Sequence, residues 1–96
     1  MKLFRQSADQ GNPLAQSNIG WLYQNGWGVP KDYAQALYWY QLSADQGNDF
    51  GQYGLGLLYA GGLGVPKNLA QARDWMSKSS TAGNAYAKAW LAQHPG

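Results

Sequence analysis

Few residues of this chain have side chains that could carry out chemistry, and their spacing does not assemble them. The only histidine is His94, three residues from the end and followed by Pro95. There is no cysteine, which removes a thiolate nucleophile, a thiolate metal site and a disulfide framework together. Ser77, Ser79 and Ser80 have no histidine near them in sequence, and a serine nucleophile needs a base held against it. Asp9 and Asp45 stand 36 residues apart. Their common register, shown below, places them one structural unit apart rather than face to face, which argues against paired-carboxylate hydrolysis. Both fall near expected helix C-termini, where a negative charge is mildly unfavourable, so each is expected to hydrogen-bond to the following unit. The segments NGWGVPKD and GGLGVPKN are glycine-rich. They lack the GKS or GKT ending of a phosphate loop and follow no strand, so they read as tight turns. No catalytic, cofactor-binding or metal-binding residue is assigned, and an enzyme is not expected.

What remains is aromatic and apolar. Five Trp, seven Tyr and two Phe occur in 96 residues. A single domain this small buries only about 60–65% of its unfolded surface, so large rings help to fill its limited core. The formal charge is +2, from seven Lys and Arg against five acids, all of them Asp. The basic residues are dispersed, whereas a nucleic-acid surface gathers them on one face, so no nucleic-acid partner is expected. No apolar run approaches the roughly 20 residues that span a bilayer, and no membrane partner is expected. MKLFRQSADQ contains no apolar stretch of the signal-peptide kind. The default localisation is cytoplasmic, with export the alternative if a leader is removed ahead of this segment.

The elements that would position these side chains follow from an internal repeat. Residues 8–43 and 44–79 align without a gap over 36 residues, with 19 identical pairs by direct count. Residues 1–7 and 80–96 read as partial repeats, giving one domain over 1–96. Spacing kept without insertion implies one structural unit stacked on its copy.

Each unit reads as two helices. From Pro13 to Gln24, Ala15, Ile19, Leu22 and Tyr23 fall on one face, with Asn12 as N-cap and Pro13 in the first turn. The loop ends this helix, and Asp32 caps a second that carries Ala36, Trp39, Tyr40 and Ala44 towards Gly47. The next pair runs from about Asp49 to Ala60 and from about Asn68 to Thr81. Residues 2–9 and 85–93 are the halves of a preceding and a following pair. Five helices are expected, two of them terminal halves, with no strand. Gly20 and Gly56 recur inside first-type helices, where Gly costs about 1 kcal/mol against Ala. Close approach of a neighbouring helix through Trp39 or Trp75 is expected there.

The combined pattern resembles the Sel-one-like (Sel-like) repeat, a 36-residue relative of the tetratricopeptide class. The resemblance rests on Ala15, Ile19, Gly20, Leu22 and Tyr23, then Gly26, Gly28, Val29, Pro30 and Asp32. It continues through Ala34, Ala36, Trp39, Tyr40, Ala44 and Gly47, and through the counterparts from Leu55 to Gly83. Departures are Gly51 for the expected Ala, Asn68 for the loop Asp and Ala92 for the helical Gly. The resemblance implies an all-α, α/α solenoid of helix-turn-helix repeats with period 36. It implies a right-handed superhelical stack whose concave face is lined by first-type helices. It also implies an adaptor or scaffold role, in a family that is largely bacterial. Some members are exported, a few are credited with enzymatic activity, and some neutralise toxins as immunity proteins.

A helical wheel locates the surface such a module would use. Ile19, Leu22 and Tyr23 share the inner arc with Ala15, while Ser17, Trp21 and Gln24 fall opposite, with Leu14 beside them. The equivalents are Phe50, Tyr53, Leu57 and Ala60, then Tyr86, Ala89 and Gln93. The two copies differ at these positions and mostly agree on the inner arc. Repeats of one chain must share a packing interface but need not share a ligand contact. Leu14, Ser17, Trp21, Gln24, Phe50, Tyr53, Leu57, Ala60, Tyr86 and Ala89 are therefore the expected contacts for a peptide or protein on the concave face. Trp27 and Leu63, in the loops, are expected to pack locally. The alternatives are a structural spacer, a fragment of a larger repeat protein, or an immunity-type inhibitor of a bacterial toxin. Leu3 and Phe4 at one end and Trp90 and Leu91 at the other look poorly capped, so self-association through the solenoid ends or contact with further repeats is also expected.

Overall fold

The computed structural model describes the backbone of residues 2–95 and the side chains of residues 5–95. Its helices are α1 (Lys2–Asp9), α2 (Pro13–Asn25), α3 (Tyr33–Asp45), α4 (Asp49–Gly61), α5 (Leu69–Thr81) and α6 (Ala85–Gln93), and no strand occurs among the described residues. The expected five is one short. Both terminal halves are helical, and four full helices of 13 residues each lie between them. Helix α1 packs on α2, α2 on α3, α3 on α4, α4 on α5 and α5 on α6, so neighbours in sequence are neighbours in space. Helix α2 also packs against α4, which sets the first-type helices side by side in one layer. The result is elongated, 39 × 24 × 17 Å.

Local chemistry sets the helix ends. Asn12, Asn48 and Asn84 have extended backbones, and their side chains accept from Ala15, Gly51 and Ala87 N–H groups at 2.9, 3.1 and 2.9 Å. Each such cap contributes about 0.5–2 kcal/mol relative to Ala. Asp32 caps α3 and Asn68 caps α5 in the same manner, so the departure from Asp at 68 leaves the cap intact. At the other end of each first-type helix, Gly26 and Gly62 adopt left-handed φ of 69° and 64° and donate to Leu22 and Leu58 carbonyls. A side chain there would strain the backbone, which accounts for glycine at both positions. The loops then return their own N–H groups to the helix they leave. Asp32 donates to the Tyr23 carbonyl at 3.0 Å, and Asn68 to the Tyr59 carbonyl at 2.9 Å.

The 36-residue period reappears in the buried contacts. Ser43 donates its hydroxyl to the Pro13 carbonyl, and Ser79 donates to the Asp49 carbonyl, both at 2.7 Å. Ile19, Leu55, Leu58, Ala36, Ala72 and Met76 are fully buried. Burying a side chain the size of Ile or Leu stabilises by about 1.5–3 kcal/mol. The core divides into two layers. One gathers Ala8, Ala15, Ile19 and Trp39; the other gathers Ala36, Tyr40, Ala44, Leu55 and Leu58.

The helical glycines admit different neighbours from those expected. A Cβ on Gly20 would lie 2.7 Å from the Tyr40 ring, and one on Gly56 would lie 2.8 Å from the Met76 methyl. The approaching residues are thus Tyr40 and Met76, each one position after the expected Trp39 and Trp75. One residue is about 100° of helix, which turns Trp39 to the adjoining layer with Ala15 and Ile19. The departure at Gly51 also has a cause. A Cβ there would meet Ser43 Oγ at 2.6 Å and the Ala44 backbone nitrogen at 2.7 Å, so α3 and α4 pack too closely for alanine.

Candidate partner-binding groove

Helices α2 and α4 enclose an open groove of about 520 Å³ on the first-type side of the stack. Helix α2 contributes Ser17, Asn18, Trp21, Gln24 and Asn25. Helix α4 contributes Phe50, Tyr53, Gly54 and Leu57, and α6 adds Tyr86. Tyr40, from α3, reaches the groove from beneath. No lining residue is charged.

Tyr40 accounts for the shape of the floor. Its ring lies between two bare backbones, because a Cβ on Gly20 or on Gly54 would stand 2.7 or 2.5 Å from it. Its hydroxyl then donates to Gln24 Oε1 at 2.6 Å. Burial pushes the Tyr40 phenol well above its ordinary range, and nearby Tyr53 adds to the rise. Tyr53 is raised in the same direction, by partial burial first and by Tyr86 second. Both phenols are held neutral, as donors and acceptors of hydrogen bonds.

The rim is aromatic. Trp21 is 44% exposed and meets Trp27 edge to face, with centroids 4.7 Å apart. The Tyr53 and Tyr86 rings tilt towards each other at 6.0 Å across α4 and α6. Trp27 is therefore not simply packed into its loop: it leans on Trp21 and remains exposed. Leu63 does pack locally, against the second core layer.

Seven of the ten expected contacts line the groove: Ser17, Trp21, Gln24, Phe50, Tyr53, Leu57 and Tyr86. Ser17 needs a correction, because it is 3% exposed and its hydroxyl is spent on the Leu14 carbonyl. Leu14, Ala60 and Ala89 lie outside. Leu14 belongs to the first turn of α2 and Ala60 to the last of α4, whereas the groove uses the later turns of α2 and the earlier turns of α4. Ala89 is exposed on α6, which reaches the groove through Tyr86 alone. Asn18, Asn25, Tyr40 and Gly54 are lining residues that the wheel did not select. A signal for them existed: positions 18 and 54 carry Asn and Gly, and positions 40 and 76 carry Tyr and Met, so these too vary between copies.

Groups with chemical potential elsewhere are committed to structure. The Ser79 hydroxyl is buried on the Asp49 carbonyl, and the His94 ring stacks on Trp90 with centroids 4.1 Å apart. Asp9 and Asp45 do not bond to the following unit. They pair within their own helices, with Arg5 and Gln41, each four residues away. Such spacing lets side chains meet on one helix face. No cluster of three metal-ligating side chains occurs among the described residues. Trp90 and Leu91 are half-buried, while the side chains of Leu3 and Phe4 lie outside the described residues.

Paired helices stacked at a fixed period, capped and looped alike, define an all-helical repeat protein of the solenoid class. Within that class the family model for the Sel1 repeat matches residues 1–12, 13–48 and 50–84, and the chain belongs to that family. Sel1 repeats generally serve as protein-interaction scaffolds.

Among solved structures, a Sel1 repeat protein from Oxalobacter formigenes is 41% identical, with a TM-score of 0.87 over 94% of this chain and 26% of that one. A protective antigen of uropathogenic Escherichia coli with the same repeat fold is 39% identical, with a TM-score of 0.83 over 88% of this chain and 18% of that one. Cysteine-rich protein B of Helicobacter pylori is 26% identical, with a TM-score of 0.84 over 94% of this chain and 68% of that one. This chain thus spans 26% and 18% of the first two relatives. No curated protein matches it. Without a single cysteine, this stack holds together by helix packing and caps.

Proposed function

We propose that this chain is an adaptor module that grips a segment of a partner protein in the groove between α2 and α4. The observation that carries this reading is the uncharged, aromatic-rimmed lining, built on side chains that differ between otherwise matching repeats. Exposed Trp and Tyr are the residues that most often dominate binding energy at protein interfaces, each worth about 2 kcal/mol or more when central. A shared repeat framework with variable lining supports selection of one partner.

The test compares affinity capture by the intact chain and by a variant carrying Trp21→Ala, Tyr53→Ala and Leu57→Ala. The variant should keep its helical circular dichroism, because Trp21 is exposed and the other two are only partly buried. It should lose what the intact chain retains. Equal retention by both proteins would remove the groove from the binding surface.

A further inference from the structure

The two repeats differ at one buried amide, and the difference leaves a site open. In the first repeat, Gln16 is 4% exposed and its Oε1 accepts from Gln46 Nε2 at 2.8 Å. In the second, Gln52 is 8% exposed and its Oε1 meets no donor. Ala82 stands where Gln46 would reach across. A buried acceptor without a partner costs stability, so its presence in a folded protein calls for a reason.

The surroundings change with it. Gln41, Asp45 and Gln46 of the first repeat become Ser77, Thr81 and Ala82, each a shorter side chain. In the first repeat Gln41 also donates to Asp45, at 2.8 Å. In the second, a shallow notch of about 410 Å³ opens among Gln52, Ser77, Lys78, Thr81 and Ala82. It shares no lining residue with the aromatic groove.

We propose that this notch takes the carboxamide of a glutamine or asparagine presented by another chain, in the place that Gln46 fills at Gln16. The site goes beyond the groove and does not depend on it. Donor and acceptor chemistry selects the group. Gln52 Oε1 needs an N–H, while the Ser77 and Thr81 hydroxyls and the Lys78 ammonium can donate to a carbonyl. A carboxamide carries both functions. A carboxylate has no hydrogen to give, and an ammonium would enter beside Lys78 with no acid in the lining. Oε1 is closed to solvent although Gln52 lines the notch, so the Gln52 amide turns as the ligand enters.

The experiment uses the whole chain, isotopically labelled and followed by nuclear magnetic resonance. It is titrated with N-acetylglutamine methylamide and with the glutamate, methionine and lysine counterparts. The glutamine derivative should move the Gln52 side-chain amide and the backbone amides of residues 77–82. Its dissociation constant should be on the order of 1 mM, as expected for a ligand of so few atoms. Gln52→Leu removes the acceptor, and Ala82→Gln fills the notch from within. Each, checked for retained helicity, should weaken binding about tenfold. Unmoved resonances overturn the proposal. A methionine derivative that binds as well overturns it by making the notch a merely apolar dent. A glutamate or lysine derivative that binds better overturns it by making charge the attraction. A shift undiminished by Ala82→Gln places the ligand elsewhere and overturns it equally. None of these results bears on the groove.

Discussion

Gly54→Ala isolates the contact on which the groove floor depends. The added methyl would lie 2.5 Å from Cδ1, Cε1 and Cζ of Tyr40. Ordinary carbon contacts are about 3.5–4.0 Å, so the ring or the helix must give by about 1 Å. The ring has little room, because Gly20 already abuts it and Gln24 holds its hydroxyl. Overpacking of this kind costs about 1–3 kcal/mol. Replacing a mid-helix Gly by Ala returns about 1 kcal/mol, so the net loss should be about 0–2 kcal/mol. For a domain of this size, that lowers the melting temperature by up to roughly 16 °C. Urea and thermal unfolding followed by circular dichroism measure it directly. The decisive comparison uses Tyr40→Met, which installs the residue the second repeat carries at that register, Met76. A flexible thioether can yield, so in that background Gly54→Ala should be neutral or stabilising by up to about 1 kcal/mol. A cost equal in both backgrounds, to within about 0.5 kcal/mol, would refute the claim that the glycine exists to admit the ring.

Three further outcomes are expected. Gln46 donates to buried Gln16 at 2.8 Å, whereas Gln52, one repeat later, has a buried Oε1 without a partner, and Ala82 occupies the position of Gln46. Ala82→Gln should therefore stabilise by about 0.5–1.5 kcal/mol in urea unfolding, and an unchanged midpoint counts against the missing-partner explanation. Ser43→Ala and Ser79→Ala should each destabilise by about 1 kcal/mol, since both hydroxyls make the same 2.7 Å bond to a first-turn carbonyl; a neutral result at either site breaks the equivalence of the two repeats. Because the folded state raises the Tyr40 phenol above its ordinary value of 10.0, the folded state holds a proton that the unfolded chain releases. Stability should be flat up to that pH and fall as pH rises above it, and absorbance titration should show one tyrosine ionising after the others; Tyr40→Phe should flatten the alkaline fall.

The repeat, its helices and their ends were legible because they rest on local rules. Asn12, Asn48 and Asn84 cap wherever the chain turns into a helix, and Gly26 and Gly62 end one wherever a left-handed residue is required. Most of the groove was legible too, since Trp21, Phe50, Tyr53, Leu57 and Tyr86 fall on the arc where the copies differ. The wheel misjudged Ser17, whose hydroxyl folds back onto the Leu14 carbonyl and leaves the surface. It also passed over Tyr40, which its own helix assigns to the core.

From the amino-acid order alone came the period, the helical class, the absence of thiol chemistry and most of the arc of the first-type helices that lines the groove. These depend on residues close in sequence, or on one unit repeated, and hold before any helix touches another. How near α2, α3 and α4 approach, and hence which ring fills Gly20 and Gly54, was decided in three dimensions. That choice turns on a rotation of about 100° between Trp39 and Tyr40 and on contacts of a few ångströms between helices far apart in the chain. Close packing of interdigitated side chains sets such distances, and no periodicity along the chain encodes them.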